Sequence, residues 1–281
     1  MRLVRAELLK LRKRWATYIV LAIVLGLMAL VYLLIGVLAR GTASGTAGLI
    51  TGFPNGYGVI NQFVFGLGSL LAVAYAAAVV GADWSFGVMR VFIARGESRT
   101  RYVLAKAIGL AIMLAIGVLI AYAAGMALSA VASSLLGQPL GQPFGSQGIH
   151  DLVASLVLGT FVLFQRAAIG FMVAMVLRSQ LAGVVVGIVL YIAEPILTTI
   201  LLALSFGGLR AVSLDTVQWY QFLPFSIGSS LLEHAAAGGQ TGSRITLTPV
   251  PLEPALAAVA IYLVASLAIA MLALRRAEVA G

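Results

Sequence analysis

The chain has 281 residues, 62% of them hydrophobic and only 10% charged, with a mean hydropathy of +1.08. A soluble domain averages roughly 45–50% apolar and about 25% charged residues. The composition therefore excludes a soluble globular protein and a disordered chain alike, and predicts an all-α integral membrane protein forming one transmembrane domain over 1–281. The net charge of +9 would suggest nucleic acid in a soluble chain. Here the basic residues sit at the ends of apolar runs, so they read as orientation signals beside membrane lipids, and no nucleic-acid partner is expected. The absence of cysteine excludes disulfides, thiolate metal sites and cysteine catalysis. His150 and His234 are too far apart in sequence to predict a metal cluster.

In chain order, Met1–Arg14 comes first. Val4, Leu8, Leu11 and Trp15 fall on one helical stripe, with Arg2, Arg5, Arg12 and Lys13 around it. The pattern fits an interfacial helix over 1–14, apolar face in lipid and basic face toward anionic headgroups or a partner. It fits equally a plain cluster of topogenic charge. The uncharged run Trp15–Ala39 exceeds the roughly 7–15 residues of a signal-peptide core, so it is expected to be an uncleaved first span. Charge-free windows then predict six spans: Thr17–Leu38, Gly58–Gly81, Leu104–Leu128, Leu152–Leu177, Leu181–Leu204 and Ala255–Leu274. The runs are continuous and not alternating, which excludes a β-barrel. Gly183 and Gly187, four residues apart, predict close helix approach within the bundle.

An even number of spans puts both termini on one side. Fourteen basic residues cluster on that side: in 1–14, in 82–106, at Arg178, and at Arg275 and Arg276. Only Arg40, Arg210 and Arg244 fall opposite, and Arg166 lies within a span. This asymmetry predicts cytoplasmic termini.

The segment 82–103 is the most charge-dense after the N-terminus, yet keeps Phe86, Met89, Val91, Phe92 and Ile93. Apolar side chains on a charged cytoplasmic segment suggest a docking site. The order of its residues resembles the ABC-2-type permeases, the membrane subunits of ATP-binding-cassette exporters. Asp83, Gly87, Arg90, Ser98, Arg99 and Lys106 fall where that family has an acidic residue, Gly-Thr, a basic residue, Ser-Arg and a later Lys. Glu7-Leu-Leu-Lys10 and the basic cluster after it resemble the family's amphipathic elbow helix. Val88 stands in place of the Thr, and Asp83 in place of the commoner Glu.

The resemblance implies that Glu7, Lys10, Asp83, Gly87, Arg90, Ser98 and Arg99 couple to a separate cytoplasmic ATP-binding-cassette ATPase. It also implies a second permease subunit, identical or related. A phosphate-binding G-x-x-x-x-G-K-[ST] loop needs Gly before its Lys. The three lysines follow Leu9, Arg12 and Ala105, so ATP is expected in the partner and no cofactor in this chain.

Two further features lie beyond that motif. Arg166 is 12 residues before Arg178, about 18 Å along a helix, and Glu194 is 16 residues after it, about 24 Å along the returning helix. A lone mid-bilayer charge is costly, so an intramembrane Arg166–Glu194 pair beside Pro195 is expected. In the outer loop, 205–254, Trp219, Tyr220, Phe222 and Phe225 cluster around Pro224. Their composition reads as an interfacial anchor, whereas the resemblance implies short re-entrant helices.

Catalytic readings fail on placement. Both histidines and Asp83, Asp151 and Asp215 map to span ends or loops, and H-E-x-x-H is absent. Gly56-Tyr57-Gly58 echoes a potassium filter but follows Phe53-Pro-Asn55 with no pore helix ahead, and reads as a turn. The sequence thus predicts a permease for ATP-driven export in a bacterial-type plasma membrane. The alternative is an ion-gradient-driven secondary transporter using Arg166 and Glu194.

Overall fold

A computed structural model of the chain describes residues 2–39, 51–88, 98–205, 213–214, 217–235, 246–247 and 250–276. The described chain is almost entirely helical. Helix α1 is Arg2–Arg12, and α2 is Trp15–Leu38. Helix α3 is Gly56–Ser85, interrupted by a π-helical turn at Gln62–Leu67. Helix α4 is Arg99–Leu136, α5 is Ser146–Leu177 and α6 is Gln180–Ser205. A 3-10 turn at Trp219–Phe222 leads into the short α7, Pro224–Glu233, and α8 is Leu252–Arg275. Two two-residue strands, β1 (Ser213–Leu214) and β2 (Thr246–Leu247), pair in parallel.

Six of these helices, α2 to α6 and α8, are long and apolar enough to cross a membrane, as a multi-pass membrane protein requires. A helix satisfies its own backbone, which is why apolar runs with no water to bond adopt it. Observed helices overrun the predicted windows: α4 extends past Leu104–Leu128 at both ends. Hydropathy windows stop at charged residues, whereas the helix stops where its backbone does. At Gly137 the chain turns left-handed (φ 67°), and Gln138 N–H returns to the Ser133 carbonyl at 3.0 Å.

Helix α3 is the centre of the bundle, packed between α5 and α6. About half of α3 and α5 is buried, but little of α2, α6 or α8. Apolar side chains offer no hydrophobic gain over lipid, so close packing must hold such helices together. Small residues make this possible. A Cβ at Gly170 would overlap the Val73 carbonyl, and one at Gly159 the Phe65 ring. Gly183 and Gly187 fit against Ala174 and Val73, inside the bundle as expected.

The charged end of the bundle is knit from several elements. Arg99 Nη1 donates to the Leu274 and Arg275 carbonyls at 3.1 and 2.7 Å, placing a cation on the C-terminus of α8. The Arg178 guanidinium lies over the Trp84 ring. Helix α1 lies along α4, where Gly109 lets Glu7 and Leu11 approach closely. Leu11 is fully buried in the protein, while Trp15 is 81% exposed. The apolar stripe of α1 therefore packs partly on protein and not wholly on lipid, a distinction that periodicity does not carry.

At the far end, the stretch around α7 turns back into the bundle. Tyr262 OH, about 15 Å along α8 from Leu252, donates to the Phe222 carbonyl. His234 Nε2 lies 2.7 Å from the carbonyl oxygen of Val250, just ahead of α8. Helix α7 thus climbs from mid-bundle to the far end. Tyr220 and Phe225 are buried, and Trp219 remains exposed, so the aromatic cluster is not a simple surface anchor.

Candidate functional site

Two polar clusters of the bundle bring together residues singled out in the sequence. The first cluster lies at the charged end, where α1, α3 and α4 meet. Asp83 Oδ1 accepts a hydrogen bond from Lys10 Nζ at 2.8 Å. Its Oδ2 accepts from Tyr102 OH and Lys106 Nζ. Glu7 carboxylate oxygens lie 3.9 Å from Lys10 Nζ and 3.8 Å from Lys106 Nζ. Two acids thus balance two bases. The Lys106 side chain is fully buried and that of Asp83 is 2% exposed. Charges so enclosed persist only when paired and hydrogen-bonded.

Three of the residues that the resemblance ties to ATPase coupling take part in this arrangement. Glu7, Lys10 and Asp83 face one another and Lys106, and Asp83 has little surface left for a partner. Gly87 sits in the turn after α3 with φ 68°, a left-handed conformation that glycine adopts without strain. Ser98 is exposed at the start of α4, and Arg99 caps α8 as described. Arg90, with Met89, Val91, Phe92 and Ile93, lies outside the described residues. Tyr102 escaped the sequence reading, although its i,i+4 spacing from Lys106 puts both on one helical face.

The second cluster lies in the middle of the bundle and centres on Arg166, which is 3% exposed. Its Nη1 donates to the Phe65 carbonyl at 3.1 Å and to Ser69 Oγ at 2.9 Å. Its Nη2 donates to the Phe225 carbonyl at 3.0 Å and to Ser229 Oγ at 2.9 Å. Phe65 belongs to the π-helical turn, which displaces backbone groups from the regular ladder. The neighbouring Gly66 carbonyl accepts from Tyr191 OH at 3.0 Å, and the Arg166 guanidinium packs over the Tyr191 ring.

Glu194 joins the same cluster from α6, but without the expected ion pair to Arg166. Its Oε1 accepts from the backbone N–H groups of Phe225 and Ser226, both at 2.7 Å. A carboxylate there meets the positive end of the α7 dipole and satisfies its orphan donors. The depth match read from sequence holds. The direct pair is replaced by a bridge, because α7 inserts its first turn between the two side chains. Sequence spacing cannot register an element that arrives from a distant loop.

Between α5, α6 and α7 lies a cavity of about 230 Å³, lined by Arg166, Tyr191, Thr198, Thr199, Ser229 and Glu233 among others. Thr198 and Thr199 hydroxyls bond back to the Pro195 carbonyl at 2.9 and 2.8 Å. Pro195 itself lacks the N–H that would continue the helix ladder. On α7, burial pushes the Glu233 carboxyl above the ordinary carboxylate range, with His234 opposing the shift. The cavity thus offers hydroxyl, guanidinium and carboxyl groups to a polar solute, and α7 forms one of its walls.

A comparison of the whole chain with curated protein sequences gives no match. A family model described as "Protein of unknown function (DUF2705)" matches residues 46–280, most of the chain, and the protein belongs to that family.

Proposed function

We propose that this protein is a permease subunit of an ATP-binding-cassette exporter, with its charged end and both termini in the cytoplasm of a bacterial-type cell. A second permease subunit completes the path, and a separate cytoplasmic ATPase supplies the energy. The observation that carries this reading is the Glu7–Lys10–Asp83–Lys106 joint. It fastens the elbow helix α1 to the cytoplasmic ends of α3 and α4, the two helices that flank the proposed coupling segment 82–103. A push on that segment moves three helices as one unit. Helix α3 then reaches Phe65, about 27 Å from Asp83, where Arg166 ties it to α7. ATP-driven movement at the charged end thereby biases closure of the mid-bundle cavity, an exchange between two states.

The test is affinity purification from native membranes in mild detergent, followed by identification of co-purifying chains. The expected result is a stoichiometric cytoplasmic ATPase, lost in an Arg90→Glu/Arg101→Glu variant. Arg101 suits the test because it is exposed and, unlike Arg99, caps no helix.

A second reading is a gradient-driven secondary transporter. It is favoured by one observation: the π-turn, Pro195 and the α7 N-terminus converge on two ionisable residues, as broken helices do around coupling sites. A chain that purifies alone, even after crosslinking, would make this reading the leading one.

A further inference from the structure

A second cavity, of about 380 Å³, lies on the opposite side of α3 from the polar chamber, between α2 and α4. Its floor is apolar and buried: Val24, Val64, Val118, Ala121 and Leu163 are each no more than 6% exposed. Its rim is exposed on both helices, at Tyr18, Ile116 and Ile120. Helices α2 and α4 touch closely toward the far end, where Gly36 packs on Ala132 and Leu135. Nearer the charged end the slot lies between them, and α1 packs along α4 beside it. The slot therefore opens sideways, toward whatever surrounds the bundle. An apolar cavity of about 150 Å³ already stays dry and takes up benzene, so this one is large enough for a longer hydrocarbon.

Among the described residues, the charged one that lines the slot is Arg12, at the junction of α1 and α2. It is exposed, and it stands at the end of the slot where a headgroup would sit if the six helices cross a bilayer. An apolar slot with a cation in its lining at the interfacial mouth, and Lys13 and Arg14 next in the chain, matches an amphiphile with a hydrocarbon tail and an anionic head. We propose that this slot binds one acyl chain of an anionic phospholipid, with its phosphate at Arg12. The inference requires only that the helices span a membrane, and stands apart from the transport reading.

Gly117 provides the test. It lines the slot, and a Cβ built on it meets nothing within 4 Å. A larger side chain there fills the space the lipid would occupy without striking backbone. The protein is delipidated in mild detergent, then titrated with dioleoyl phosphatidylglycerol or dioleoyl phosphatidylcholine and followed by native mass spectrometry and thermal unfolding. The expected result is one tightly retained lipid per chain, with roughly fivefold preference for phosphatidylglycerol, the attraction of one basic residue for an anionic lipid surface. Gly117→Phe should abolish retention and lipid-dependent stabilisation, which arises by mass action. Gly117→Leu serves as a smaller plug where the phenylalanine does not fold. Gly26→Phe, on the exposed face of α2 with open space around its Cβ, should retain the lipid. Arg12→Gln should keep the lipid and lose the headgroup preference. Undiminished retention in both Gly117 variants, or equal binding of the two lipids by the unmodified chain, would overturn the proposal. So would a lipid-free dimer that the Gly117 variants dissociate, since the slot would then be a contact between copies.

Discussion

Arg166 and Glu194 hold the same residue, Phe225, from two sides: Arg166 Nη2 donates to its carbonyl at 3.0 Å and Glu194 Oε1 accepts from its N–H at 2.7 Å. Each side chain has the sign its own backbone partner requires. Exchanging them would place a carboxylate against the Phe65 and Phe225 carbonyls and a guanidinium against amide N–H groups. The Arg166→Glu/Glu194→Arg exchange is therefore expected to be worse than either alanine variant. Because both residues act on the first turn of α7, the two alanine variants should be non-additive. Thermal unfolding in detergent reads this directly. Rescue by the exchange would show that the two side chains pair with each other after all.

Asp83→Asn leaves Lys106 buried with its main counter-charge gone, and removing one partner of a buried pair costs about 3–5 kcal/mol. Lys106→Met in the same chain removes the stranded cation and should recover much of that loss. The unfolding midpoints of the single and double variants measure the recovery. If Asp83→Asn is nearly neutral, water reaches the cluster and it is not a sealed joint.

Gly170→Ala drives a Cβ into the Val73 carbonyl, where backbone and not a flexible side chain must yield. Destabilisation of about 1–3 kcal/mol is expected. Gly26→Ala has open space at its Cβ and should be neutral or slightly stabilising, since alanine is the better helix former. Equal effects at the two sites would mean that α3 and α5 are not packed as closely as described.

Glu233 is held above its ordinary range by burial, so the folded protein binds its proton more tightly than the unfolded chain. Its protonated form is the favoured one, and the associated stability is lost as pH rises through the folded-state value. Glu233→Gln should therefore be more stable than the unmodified chain at pH 8, with the difference shrinking toward pH 4. An advantage of the same size at both values would show that the carboxyl is not titrating in the buried environment.

The six long helices were legible because each is a single apolar run whose length is set by the thickness it must cross. Arg166 and Glu194 were legible as a pair of depths, since helix rise converts sequence separation into distance. Their actual partners were not, because Phe65 lies in a π-turn and Phe225 arrives on α7, and neither leaves a mark in hydropathy. Glu7 with Lys10, and Asp83, are legible as parts of two motifs, but not their contacts with one another and with Lys106. Charge patterning shows that residues are polar, and only packing shows which way they turn. Tyr102 escaped notice for the same reason, as one hydroxyl on an otherwise apolar helical face.

ATP at the charged end is proposed to alter the polar chamber in the middle of the bundle. The chain has no cysteine, so a single Thr199→Cys substitution places a unique thiol in the wall of that chamber. The decisive measurement is its rate of modification by a membrane-impermeant thiol reagent applied to the outer face of sealed native vesicles. The account predicts a rate that changes when ATP is supplied on the cytoplasmic side and is unaffected by a protonophore. A rate indifferent to ATP that shifts when the ion gradient collapses would contradict it.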